Sequence, residues 1–136
     1  MAANPIFPSG IGRVAKTIVN SDATSYVDVY DNSASSSPVR LEALNICSDD
    51  TNTVNLAFAR YDGSIAYLIG TVRVVTLSGT DGAAARVNAL STIGTMAADG
   101  VPVIEIPAGG KLQAKSLAAV TADKTVTITG WVRQYA

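Results

Sequence analysis

The chain has 136 residues, 48% of them hydrophobic and 15% charged, with a formal net charge of −1. That length makes one domain, which buries roughly two-thirds of the surface its unfolded form exposes. An average soluble domain is about 25% charged; here the Lys and Arg residues are few and scattered singly, which gives no support to a surface built for nucleic acid, because phosphate affinity grows with cations gathered on one face. Histidine is absent and Cys47 is the single cysteine. Ser-His-Asp and Cys-His catalytic sets, an internal disulfide and a cysteine-rich zinc site are thereby excluded.

Residues 1–12 place Pro5, Pro8, Gly10 and Gly12 around Ile6 and Phe7, which disfavours helix and predicts an extended arm with two large apolar anchors. Such an arm needs a groove, on its own domain or on a neighbouring subunit. The start of the chain lacks the basic residues and apolar run of a secretory leader, and nowhere do 18 apolar residues follow one another. The expectation is a chain made and kept in the cytosol, with no membrane span.

Residues 13–136 read as a single all-β domain. Short segments rich in Val, Thr, Tyr and Ile alternate with Ser, Asn, Asp and Gly clusters, and strands are expected near 13–20, 25–31, 39–47, 53–61, 64–77, 101–106, 111–117 and 124–134. About eight strands suit two packed antiparallel sheets, a β-sandwich or jelly roll, although strand lengths alone leave the order open. Asp62-Gly63 marks the clearest hairpin, since its turn needs residues that tolerate positive φ. Asp81 to Thr92 departs from the pattern: three consecutive alanines follow a possible Asp81 N-cap, with Val87 and Leu90 three apart, which predicts one short helix near 81–92.

Alternation in the last strand puts Val126, Ile128 and Val132 on one face and Thr125, Thr127, Thr129, Trp131, Arg133 and Tyr135 on the other. In the second strand Val27 and Val29 alternate against Tyr26, Asp28 and Tyr30 in the same way. Both strands therefore set aromatics with a polar handle on the face away from the aliphatic core. Such residues bury much area and still hydrogen-bond, so Tyr26, Tyr30, Trp131 and Tyr135, with Ile6 and Phe7 of the arm, are the candidate interface residues. Ordinary cross-strand pairing on a solvated sheet is the alternative reading.

Groups suited to chemistry are sparse. Cys47 lies in a strand-like stretch and reads as a small buried hydrophobe. Glu105, one of two glutamates with Glu42, reads as a buried acid or an edge-strand charge. Asp49, Asp50 and Asn52 could offer oxygens to calcium, but their spacing is not that of a calcium loop, so a solvated turn is expected. Gly109-Gly110-Lys111 lacks the other parts of a phosphate loop and reads as a turn, while Lys115 and Ser116, adjacent in a strand, point to opposite faces. No catalytic residue, metal site or cofactor is expected.

The run from Gly100 through Val103, Ile104, Ile106-Pro107-Ala108-Gly109, Leu112-Gln113-Ala114, Ala119-Val120-Thr121-Ala122 and Val126-Thr127-Ile128 to Tyr135 resembles the small β-sandwich decoration, or cement, proteins of tailed bacteriophages. The Ala-rich helix and the Val27-Asp28-Val29-Tyr30 strand fit the same outline. The resemblance implies a non-enzymatic virion protein on the capsid surface, a homo-oligomer and most simply a homotrimer, whose partners are the major capsid protein and its own copies. A phage tail or fibre component would share this composition. From another class, a carbohydrate-binding β-sandwich module would use Trp131 and a tyrosine as a stacking platform.

Overall fold

The computed structural model of the chain describes residues 8–135. Within them β1 (Pro8–Val19) is followed by a short turn of 3-10 helix at Asn20–Asp22, then β2 (Val27–Asp31), β3 (Val39–Ser48), β4 (Val54–Tyr61) and β5 (Ala66–Val74). A long excursion holds β6 (Val87–Asn88), α1 (Leu90–Ile93) and β7 (Thr95–Met96), and β8 (Pro102–Ile106), β9 (Lys111–Ser116) and β10 (Thr125–Tyr135) complete the fold. Two antiparallel sheets face each other. The first, sheet A, runs β1-β10-β3-β8-β7 with β6 beside β3, and the second, sheet B, runs β2-β9-β4-β5. Leaving aside the two-residue strands β6 and β7, this order, in which successive strands mostly cross between the sheets, is that of a jelly roll.

The core follows from the period-2 pattern. Leu41, Leu44, Ile46, Ile106 and Ile128 of sheet A close over Leu56, Phe58, Val72, Val74 and Leu112 of sheet B, all at most 1% exposed. A fully buried aromatic such as Phe58 contributes about 3–5 kcal/mol by the cost of its truncation. Hairpin β4–β5 turns where expected: the Asp62 carboxylate accepts the N–H groups of Ser64 and Ile65, each at 2.9 Å, and Gly63 takes φ +101°.

Three features differ from the sequence expectation. The helix shrinks to Leu90–Ile93, because Asp81 spends its carboxylate on the N–H of Ala83 in a local turn and the N–H of Gly79 closes that loop onto the carbonyl of Ala84. Of the twelve arm residues, Pro8–Gly12 belong to β1 and pair with β10, while Ile6 and Phe7 lie outside the described residues. Tyr30 does not share a face with Tyr26: a bulge at Val29 shifts the register, so that Tyr30 pairs with buried Leu112 and packs against the core.

Candidate interaction surfaces

The outer face of sheet A carries Trp131 in the open. It is 46% exposed, and its register partners are Arg13 on β1 and Ala43 on β3. Ile11, 71% exposed, pairs with Arg133 and so lies diagonal to the indole. Glu42 is the extra residue of a bulge in β3 opposite Trp131 and Val132, and it reaches Arg133 through two parallel bonds, Nε–Oε1 at 2.8 Å and Nη2–Oε2 at 3.0 Å. The Arg133 guanidinium holds the Glu42 carboxyl below its ordinary value, against the opposing effect of burial. Gly130 makes this bulge possible: a Cβ there would collide with the carbonyl oxygen of Ala43. Beyond Trp131 the face is small and polar, with Thr129 opposite Ala15 and Thr127 opposite Thr17 and Cys47.

Sheet B presents a different outer face. Asp28 accepts the Gln113 amide at 2.9 Å and Lys111 Nζ at 3.0 Å, and these partners, the Gln113 bond foremost, lower its pKa despite partial burial. Lys115 Nζ stands 4.7 Å from the centre of the Tyr26 ring, and Lys111 Nζ stands 5.9 Å from that of Tyr61. Ala57 and Ala59 between these rows are buried although they belong to the outer register. The aromatics of this face are thus engaged by cations of the same chain.

At one end of the sandwich Tyr30 and Tyr135 line a common hollow of about 420 Å³ with Asp31, Asn32, Ser35 and Gln134. Asn32 is 4% exposed and donates to the carbonyls of Ser37 and Pro107, each at 3.0 Å, which fixes the loop that forms the rim. Pro8 is the register partner of Tyr135, so the chain's first residues leave from this same end.

A second cleft, of about 570 Å³, was not visible in the sequence. Arg40, Arg60, Met96, Asp99 and Glu105 line it. Glu105 is exposed on β8 and accepts Arg40 Nη2 at 3.0 Å, while its backbone carbonyl accepts Arg60 Nη1 at 3.2 Å. It is therefore the edge-strand charge and not the buried acid. Arg40 Nε is buried with no partner. Tyr67 and Leu68, 53% and 65% exposed, line a smaller hollow that shares Arg60 and Glu105 with this cleft. The run Ala66-Tyr67-Leu68-Ile69 does not alternate in hydrophobicity, so nothing in the sequence marked which of its residues face outward.

The Asp49–Asn52 loop is a structural tie and not the expected solvated turn. Asp50, 1% exposed, accepts the N–H of Asn52 at 2.8 Å and both the N–H and hydroxyl of Thr121, at 2.9 and 2.8 Å, and Asp49 accepts the N–H of Thr125 at 2.7 Å. Burial raises the Asp50 carboxyl, but the Thr121 and Asn52 donors outweigh it and leave the pKa lowered. Among the described residues no group of three or more His, Cys, Asp or Glu is placed to hold a metal ion. The protein is in class a two-sheet antiparallel β-sandwich with jelly-roll strand order. No protein-family model matches the chain, and no curated protein matches it.

Proposed function

We propose that this chain is a non-catalytic structural protein of a bacteriophage virion, which decorates the capsid and stabilises it by covering surface on neighbouring capsid subunits. The observation that carries the reading is the gathering of Ile11, Trp131, Tyr135 and the departure point of the chain's first residues on one stretch of the β1–β10 ladder. An exposed indole beside an exposed isoleucine, rimmed by Arg13 and the Arg133–Glu42 pair, has the make-up of an interface centre: an apolar anchor within a polar, paired surround. Jelly rolls serve viral capsids and lectins alike, so architecture supports the class while the argument for function rests on the patch.

The partners in this reading are the major capsid protein and further copies of the chain, three of them in the expected assembly. An arm and a face acting together give linked attachments, which raise avidity by about 10²-fold or more where geometry lets both engage. Ile6 and Phe7 are the arm anchors in this reading, and Trp131 and Tyr135 the facial ones. Tyr26 and Tyr30 are weaker choices, since Lys115 covers the first and the core holds the second.

The test is co-sedimentation of the chain with assembled shells of the phage that encodes it, alongside unassembled capsid protein. Retention on shells, lost with Trp131→Ala and weakened by removal of residues 1–7, is the expected outcome. Binding to tails or fibres in place of shells would move the protein to that part of the virion. The glycan-binding alternative draws on the Tyr30–Tyr135 hollow with its Gln134 amide; a monomer that binds a glycan array and ignores shells would replace the decoration reading with that one.

A further inference from the structure

The long edge strands of the two sheets are guarded differently. On β1, Lys16 occupies the core-side register between buried Val14 and Ile18, opposite Ile128, and Arg13 stands on the outer side. A strand approaching that edge would meet both cations, a common protection of sheet edges. On β5 the only charge is Arg73 near the end of the strand, on the outer side; the run Ala66-Tyr67-Leu68-Ile69-Gly70-Thr71-Val72 has neither charge nor proline, and Tyr67 and Leu68 are exposed. β5 pairs with β4 alone, and among the described residues no loop backbone hydrogen bond ends within Ala66–Val74. Helix α1 meets β5 on its core side, where Ile93 lies under Gly70, and among the described residues no backbone hydrogen bond joins α1 to β5.

This edge is complementary to itself. A bulge at Ile69 sets Ala66, Leu68, Thr71 and Arg73 in the outer register, and Tyr67, Gly70 and Val72 in the core-side register. With two copies antiparallel about a twofold axis between Ile69 and Gly70, Leu68 meets Thr71, Tyr67 meets Val72 and Ala66 meets Arg73. Outer residues then face outer residues throughout, and each Arg73 faces an alanine, which avoids the destabilising pairing of like charges. We propose that β5 is a self-pairing edge through which two copies of this chain join their second sheets into one continuous sheet.

A second copy fits this edge better than the arm does. Pro5 and Pro8 flank Ile6 and Phe7 and remove ladder donors, and the arm leaves from β1, at the far edge of the other sheet. The contact does not rest on the capsid reading. It is isologous and closes on two copies, so a threefold association would use other surface. One strand edge buries less than the roughly 1,600 Å² of a standard interface, which makes the dimer weak and dependent on concentration.

Sedimentation equilibrium of the full chain from about 1 μM to 1 mM tests this. Monomer should give way to dimer, and at the high end amide exchange should slow for N–H groups of Ala66–Val74 that β4 leaves free, with β1 unchanged. Leu68→Lys should raise the dissociation constant at least about tenfold while leaving the unfolding midpoint in place, because Leu68 is exposed. Adding Thr71→Glu to the same chain should restore dimerisation, since each introduced lysine then faces the other copy's introduced glutamate. A monomer at every concentration, an oligomer indifferent to Leu68→Lys, or a failure of the second substitution to restore pairing would each overturn the proposal.

Discussion

The outer faces of the two sheets have similar ingredients and opposite states. Sheet B sets Tyr26 and Tyr61 beside Lys115 and Lys111, and its Asp28 is held by Gln113 and Lys111, so these aromatics and this carboxylate have partners within the chain. Sheet A pairs Arg133 with Glu42 across a bulge and in doing so takes up the cation opposite Ile11, while Trp131 and Ile11 stay open. Whether a cation lies over the ring decides whether an outward aromatic is spent or available: Lys115 lies over Tyr26, while Trp131, opposite Arg13, stays half-exposed. Position on an outer face does not.

The largest effect on this contrast should come from Gly130→Ala, which drives a methyl group into the Ala43 carbonyl beneath the β3 bulge. A loss of about 3 kcal/mol or more in urea unfolding is expected, because the obstacle is backbone. Trp131→Ala comes next: under the proposed function it weakens retention on shells by at least about 2 kcal/mol, while its half-exposed position limits the stability cost to about 1 kcal/mol. Tyr26→Ala is the matched control on the other face and should leave retention unchanged. If both substitutions reduced retention equally, the distinction between spent and available aromatics would be lost.

Acid should erode both faces. Glu42 and Asp28 have folded pKa values below their unfolded ones, so the stability they contribute is fully present above the unfolded values, near pH 4, and is lost as pH falls through the folded values. Unfolding midpoints measured between about pH 6 and pH 2 should fall, and Glu42→Gln should flatten part of that fall. Lys115→Ala should have the smallest effect. It removes the cation above Tyr26, costs about 0.5–1 kcal/mol, and renders the Tyr26 ring more accessible, which tyrosine fluorescence quenching would register.

Much of the fold was legible because its signal is local. The eight principal strands, the Asp62-Gly63 hairpin and the inward Val126, Ile128 and Val132 follow from alternation and turn chemistry, and the structure has them in place. Bulges were not legible. An extra residue at Val29 turns Tyr30 toward the core, another at Glu42 creates the Arg133 pair, and a third at Ile69 exposes Leu68, yet none has a distinctive residue type. The cationic cover over Tyr26 was hidden for another reason: it joins residues 26 and 115, which only strand order brings together. Asp50 looked like a solvated loop residue because its partner, Thr121, is equally remote in sequence.

Cys47 offers a way to watch one part of this molecule separately from the rest. Its sulfur sits so near Gly79 that a side chain there would begin 2.8 Å away, and the covering loop is stapled at Ser48 by the Ser78 carbonyl and the Thr80 hydroxyl. As the sole thiol in the chain, half-buried in the outer register of β3 opposite Thr127, it gives a labelling reagent a single address beside a hydrogen-bonded loop. The rate of modification in native buffer therefore reports how far that loop shields the sulfur, and comparison with the rate under denaturant separates this local shielding from the protection given by the whole sandwich.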